Sequence, residues 1–131
     1  MSENLLKTLQ NSFPNLVFKP SHKFLFHPPK TILFNQTDAN FPSLILHEIG
    51  HAELGHYDFK TDIARLRMEV AAWEKARELA PKFNITIDEN LIESELDTYR
   101  DWLHQKSKCK KCGLTRYQTN DGRYHCPFCD N

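Results

Sequence analysis

The chain predicts an α+β fold, in which a small antiparallel sheet packs against a helical core and a cysteine-bearing tail follows. Three observations carry this reading. Short aromatic and β-branched runs, bounded by prolines, lie within residues 16–34. Apolar residues then recur at helical spacing through residues 42–105. All four cysteines fall in the last quarter as two C-x-x-C pairs, Cys109/Cys112 and Cys126/Cys129. A length of 131 residues suits one domain with a small appendage, divided here as 1–105 and 106–131.

Residues 3–13 place Leu5, Leu6, Leu9 and Phe13 on one helical face, and Pro14 ends that helix. Strands are expected at 16–18, 23–26 and 31–34, the last two forming a hairpin across His27-Pro28-Pro29-Lys30. A second helix opens near Pro42 and Ser43 and ends at Gly55, since glycine is the usual residue just past a helix C-terminus. A third spans 61–80, capped by Thr61 or Asp62 and closed by Pro81. Residues 82–87 read as a loop or short extended piece. A fourth helix covers 88–105, with Thr86-Ile87-Asp88-Glu89 resembling a capping box. Its outer face of Glu89, Glu93, Glu95, Asp97 and Asp101 is a solvated surface.

The second helix carries His47-Glu48-Ile49-Gly50-His51. His47 and His51 stand one turn apart on one face, so two imidazoles can share one Zn²⁺. Glu48, rotated by about 100°, reaches a metal-bound water without being a ligand. That is the H-E-x-x-H arrangement of zinc peptidases, in which the metal acidifies the water and the glutamate takes its proton. The flanking Leu44, Ile45, Leu46, Ile49 and Leu54 bury the helix, and buried imidazoles and carboxylates need partners. His56 is a poor fit to the third histidine of an H-E-x-x-H-x-x-G-x-x-H site, because Gly55 comes one place late and His56 one place early. A C-capping role or a polar contact with substrate suits it better.

Glu69 sits in the middle of the third helix's apolar stripe. Ala80, Trp73, Leu66, Ala76 and Ala72 all fall within about 60° of it on a helical wheel. Such a carboxylate needs a cation, from Arg65 or Arg100 or from a metal. The metal reading makes Glu69 the third ligand of a His₂Glu zinc site with one open position. Tyr99 serves either as an oxyanion donor or in core packing.

In the tail, thirteen residues separate Cys112 from Cys126. Two such knuckles fit a tetrahedral Cys₄ zinc ribbon, with Asn120-Asp121-Gly122 turning a hairpin between them. The whole chain balances 17 cations against 17 carboxylates, whereas residues 104–131 hold six cations against two carboxylates, a net +4. Four thiolates on Zn²⁺ contribute −2, so nucleic acid is weakly supported as a partner, and a folding staple or protein-docking module fits as well. The N-terminus lacks a long apolar segment of the signal-peptide kind, and no run approaches a membrane span. A cytoplasmic protein with two zinc ions, one catalytic and one structural, is the expectation.

Together, His47-Glu48-Ile49-Gly50-His51, the Glu69-Val-Ala-Ala-Trp73 segment and the strands before them resemble the ImmA/IrrE family of metallopeptidases over roughly residues 15–105. The resemblance implies a zincin-type core whose third ligand is a Glu in an E-x-x-A segment, matched here by Glu69 and Ala72. It implies cleavage of a helix-turn-helix repressor of a phage or mobile element, which derepresses the genes that repressor holds. Two departures stand out: no helix-turn-helix segment is evident, and the Cys₄ tail is an addition. SprT-like proteases, which digest proteins crosslinked to DNA, also join H-E-x-x-H to a zinc ribbon. Their third ligand is a downstream histidine, for which His56, His104 and His125 are poorly spaced. The non-enzymatic alternative is a metal-stabilised protein that holds a repressor without cutting it. An intact Glu48 argues against that, because binding needs no general base.

Overall fold

The computed structural model describes residues 2–129; Asp130, counted among the tail carboxylates, lies outside them. The chain runs α1 (Ser2–Ser12), β1 (Val17–Pro20), β2 (Leu25–His27), β3 (Thr31–Phe34), α2 (Phe41–Glu53) and α3 (Asp62–Leu79). A 3₁₀ turn (Ala80–Phe83), α4 (Glu89–Ser107), β4 (Tyr117–Gln118) and β5 (Tyr124–His125) complete it. The class is α+β.

The first sheet departs from the antiparallel expectation. Its order is β1-β3-β2, with β2 and β3 antiparallel as a hairpin but β1 and β3 parallel. β3 takes the centre because Ile32 and Phe34 are both buried. β1 can only be an edge, since Pro20, opposite Phe34, has no N–H to give a second neighbour. The other edge is β2, and it runs past the cavity described below.

α2 is the central helix, packed by the sheet, α1 and α3. Phe41, Ile45, Leu46 and Ile49 from α2 meet Leu9, Ile32, Phe34, Trp73 and Ile92, all with at most 1 % of their surface exposed. Burying each such side chain stabilises the fold by about 1.5–3 kcal/mol. α2 and α3 approach closely because Gly50 has no side chain: a Cβ there would lie 2.6 Å from the Ala72 carbonyl oxygen.

The helix ends follow local chemistry. Thr61 caps α3 by accepting from the Ala64 N–H. Asp88, rather than Thr86, caps α4, accepting from the Asn90 N–H; the expected capping box does not form, because N3 is then Leu91. Pro81 does not end the chain's helical path. It sits in the first turn of the 3₁₀ piece, where its missing N–H costs nothing, and Asn84 in the left-handed region (φ 57°) closes that turn. Among the described residues no helix is long and apolar enough to cross a membrane.

α4 carries the chain two residues past Gln105 and straight into the tail. There β4 and β5 pair as an antiparallel hairpin, turned at Gly122 with φ 87°. That hairpin rests on the start of α3. The Asp62 N–H donates to Gln118 Oε1 at 2.7 Å, and the Asp62 carboxylate accepts from the Tyr124 hydroxyl at 2.6 Å and pairs with Lys106 at 2.9 Å.

Candidate metal centre

α2 and α3 together bring His47, His51 and Glu69 to one point, all three buried. Glu69 Oε1 lies 2.9 Å from His47 Nε2 and Glu69 Oε2 lies 3.0 Å from His51 Nε2, while the two Nε2 atoms are 3.2 Å apart. Zn–N bonds of about 2.0–2.1 Å put tetrahedral donors roughly 3.3 Å apart, so this spacing fits a zinc-sized ion. The chemistry agrees. Two facing imidazole nitrogens cannot both donate to and accept from each other, and a cation satisfies both lone pairs at once.

Glu69 makes no ion pair with Arg65 or Arg100. Arg100 pairs with Glu93 at 2.9 Å and Asp97 at 3.0 Å, and Arg65 lies among aromatic rings. Burial pushes the Glu69 carboxyl up, but hydrogen bonds from His47 and His51 outweigh it and hold the group down at about 2. The carboxylate is therefore charged at every relevant pH, as a ligand must be.

The histidines are held from behind. His47 stacks on Trp73, with ring centroids 4.3 Å apart and planes 22° from parallel. Its Nδ1 is buried with no hydrogen-bond partner, so the ring's polar contacts all run through Nε2. His51 Nδ1 lies 3.0 Å from His56 Nδ1. The route to that contact is the end of α2. The His56 N–H bonds the His51 carbonyl and the Gly55 N–H the Ala52 carbonyl, a Schellman pair made possible by Gly55 at φ 68°. His56 thus combines the capping role with a contact to His51, which the expectation of a substrate contact omitted.

Glu48 stands outside the donor group and faces a cavity of about 250 Å³, shared with His51, His56, Glu69, Arg65 and Tyr99 and bordered by Phe24, Leu25 and Phe26 of the β2 edge. Burial raises its carboxyl above the ordinary value, against the pull of His47 and His51. Burial and the nearby Glu69 charge push the Tyr99 hydroxyl up to about 12, so at neutral pH it is a donor.

The second cluster is Cys109, Cys112, Cys126 and Cys129. Cys109 and Cys129 sulfurs are 3.9 Å apart and Cys112 and Cys126 sulfurs 3.5 Å. Zn–S bonds of about 2.3 Å give tetrahedral edges of roughly 3.75 Å, so four thiolates here fit one zinc. The backbone N–H groups of Cys112 and Lys111 pull the Cys109 thiol down, while hydrogen bonding to its neighbours pushes the Cys129 thiol up, so without a cation the four sulfurs do not all ionise together. Both clusters could bind metal ions. Among the described residues, His104 and His125 join neither group.

Trp73, Gly50 and Arg65 belong to this site, although none of them had a role in it on sequence alone. For the two on α3 the signal was spacing, since Arg65, Glu69 and Trp73 recur at four-residue intervals along one face. No protein-family model matches the chain, and neither does any curated protein or solved structure.

Proposed function

We propose that the chain is a zinc-dependent endopeptidase, with His47, His51 and Glu69 as ligands and Glu48 as general base. The observation that carries this reading is the separation of roles: three buried side chains whose facing donor atoms lie 2.9–3.2 Å apart in pairs, and a second carboxylate, that of Glu48, facing the same cavity outside that group. A site built only to bind or brace needs no such extra carboxylate.

Zinc held there would supply a Lewis acid that polarises the peptide carbonyl and lowers the pKa of water. Glu48 takes the proton from the attacking water and passes it to the leaving amine. Its raised pKa suits the first half of that task, because a stronger base accepts more readily. The Tyr99 hydroxyl is a donor on the cavity wall for the developing oxyanion. β2 has one strand neighbour, and its Phe26 N–H is engaged by the Glu48 carboxylate; the rest of its outer edge can pair with an extended segment of substrate beside that base.

The substrate follows from the resemblance to the ImmA/IrrE family: a helix-turn-helix repressor of a phage or mobile element, whose cleavage derepresses its genes. The tail then acts as a docking or stabilising module. The test is incubation of zinc-loaded wild type and Glu48→Gln with a proteome-derived peptide mixture and with purified candidate repressors. Wild type is expected to cut and Glu48→Gln to bind zinc equally but lose cleavage by a factor of about 10²–10⁴. Equal cutting by the variant removes Glu48 from its role. No cutting by either, with repressor bound by both, establishes the binding-protein alternative instead.

A further inference from the structure

Arg65 is the one cation among the named cavity residues, and its setting is unusual for an arginine. Its guanidinium carbon lies 5.6 Å from the Phe59 ring centroid, 5.4 Å from that of Tyr99 and 5.1 Å from that of Trp102. Three rings from three parts of the chain hold it: the loop before α3 and two turns of α4. Among the described residues no carboxylate lies within ion-pair distance of it, whereas Arg77, Arg100 and Arg123 each have one. Asp58 also borders the cavity, and its carboxylate accepts from the Phe59 N–H at 2.8 Å.

Rings engage the flat faces of a guanidinium and leave the N–H groups at its rim to donate; one of these reaches the Tyr99 hydroxyl, and the others remain for a ligand. Those rim donors match a carboxylate two by two. The cage also fixes the side chain before any ligand arrives, so little rotamer entropy is lost on binding. Partial burial strengthens the attraction to an incoming anion relative to a surface arginine.

Position sets what that anion belongs to. Arg65 stands one helical turn before Glu69, which places their Cβ atoms about 5–6 Å apart on one face. Alternate residues of an extended peptide are spaced by roughly 6.6 Å. We propose that Arg65 determines specificity at this site by binding a carboxylate of the substrate, one or two residues from the bond that is cut. That carboxylate is an Asp or Glu side chain. The inference rests on the peptidase reading, which supplies the metal that fixes the scissile bond.

The test uses zinc-loaded full-length chain and three short peptides, each headed by a hydroxamate that seizes the metal. One carries Asp next to the hydroxamate and an amidated C-terminus, the second Asn with the same amide, and the third Asn with a free C-terminal carboxylate. Calorimetry on wild type is expected to give about tenfold tighter binding for the Asp peptide than for the Asn amide; a preference confined to the free-carboxylate peptide would mark a carboxypeptidase site and overturn the side-chain assignment. Arg65→Met fills the aromatic cage without charge and is expected to bind all three alike, while Arg65→Glu inverts the order. A purely structural arginine would change stability and leave these ratios untouched. Equal affinities in wild type, or a preference that survives Arg65→Met, overturns the proposal. Metal content of the same samples separates the two readings: a chain without zinc at the His47 site, or a doubly loaded chain that binds no hydroxamate, overturns the peptidase reading and this inference with it.

Discussion

Gly50 and Ala72 meet backbone to backbone, with 2.6 Å between the position of a Gly50 Cβ and the Ala72 carbonyl oxygen. Neither group is the end of a flexible side chain, so an alanine at 50 must push α2 and α3 apart. Glu69 lies on α3 three residues before Ala72, and His47 and His51 flank Gly50 on α2. Gly50→Ala is therefore expected to cost about 1–3 kcal/mol of stability and to loosen the His47–Glu69 spacing. Competition with a fluorescent chelator should show zinc lost from this site first, with the Cys₄ site retained. Equal loss from both, or from neither, would mean that the close approach does not set the donor geometry.

Glu69→Ala removes one of three donors and should take the zinc content from two per chain to one. Truncation after Gln105 should also leave one, at the other site. Glu69→Gln separates charge from shape: it keeps one oxygen donor but gives up the charge, and its affinity is expected to fall between wild type and alanine. Metal analysis of the purified variants decides this directly. Two zinc ions in Glu69→Ala would move the third ligand elsewhere.

His56→Ala leaves His51 Nδ1 without its 3.0 Å partner. A group that orients a ligand from behind is commonly worth 10–100-fold in metal affinity, and a loss of about that size is expected here. His56→Asn can restore a hydrogen bond and should recover part of it. The Cys₄ zinc and the melting temperature of the metal-free chain should barely change, which distinguishes orientation of His51 from general destabilisation.

The sequence disclosed what depends on local spacing. The His47/His51 pair, the burial of Glu69 within its apolar stripe, the cysteine knuckles and the helix stop at Gly55 all follow from period and turn chemistry within a few residues. Contacts made by chain folding back were not legible. Nothing in β1 announces that it pairs parallel to β3, since period-2 patterning marks a strand and not its partner. His56 stood one place early for the H-E-x-x-H-x-x-G-x-x-H spacing, and a single left-handed residue turned it back onto His51. Asp62 read as a helix cap, a role Thr61 fills. Its three partners lie 44 to 62 residues away, at a distance where local pattern carries no information.

That Asp62 junction gives a pH dependence with a definite sign. Burial alone would raise the Asp62 carboxyl, but the Tyr124 hydroxyl and Lys106 outweigh it and leave it below its ordinary value. Its contribution is therefore present above the unfolded value near 3.9 and is lost as pH falls through the lower folded one. The Tyr124 hydroxyl moves the opposite way, raised to about 12 by burial and by Asp62. Its contribution is complete below the unfolded value near 10 and disappears as pH rises through about 12. Acid also protonates the cysteine ligands, so the alkaline limb is the cleaner measurement. Between pH 9 and 12, denaturant unfolding of the zinc-loaded chain should show wild type losing stability that Tyr124→Phe never had, so the two curves converge. Asp62→Asn should cost about 1–3 kcal/mol at pH 8 and flatten the same difference, because a neutral amide no longer holds the tyrosine proton. Parallel curves for wild type and Tyr124→Phe up to pH 12 would mean that the hydrogen bond does not fasten the tail to α3.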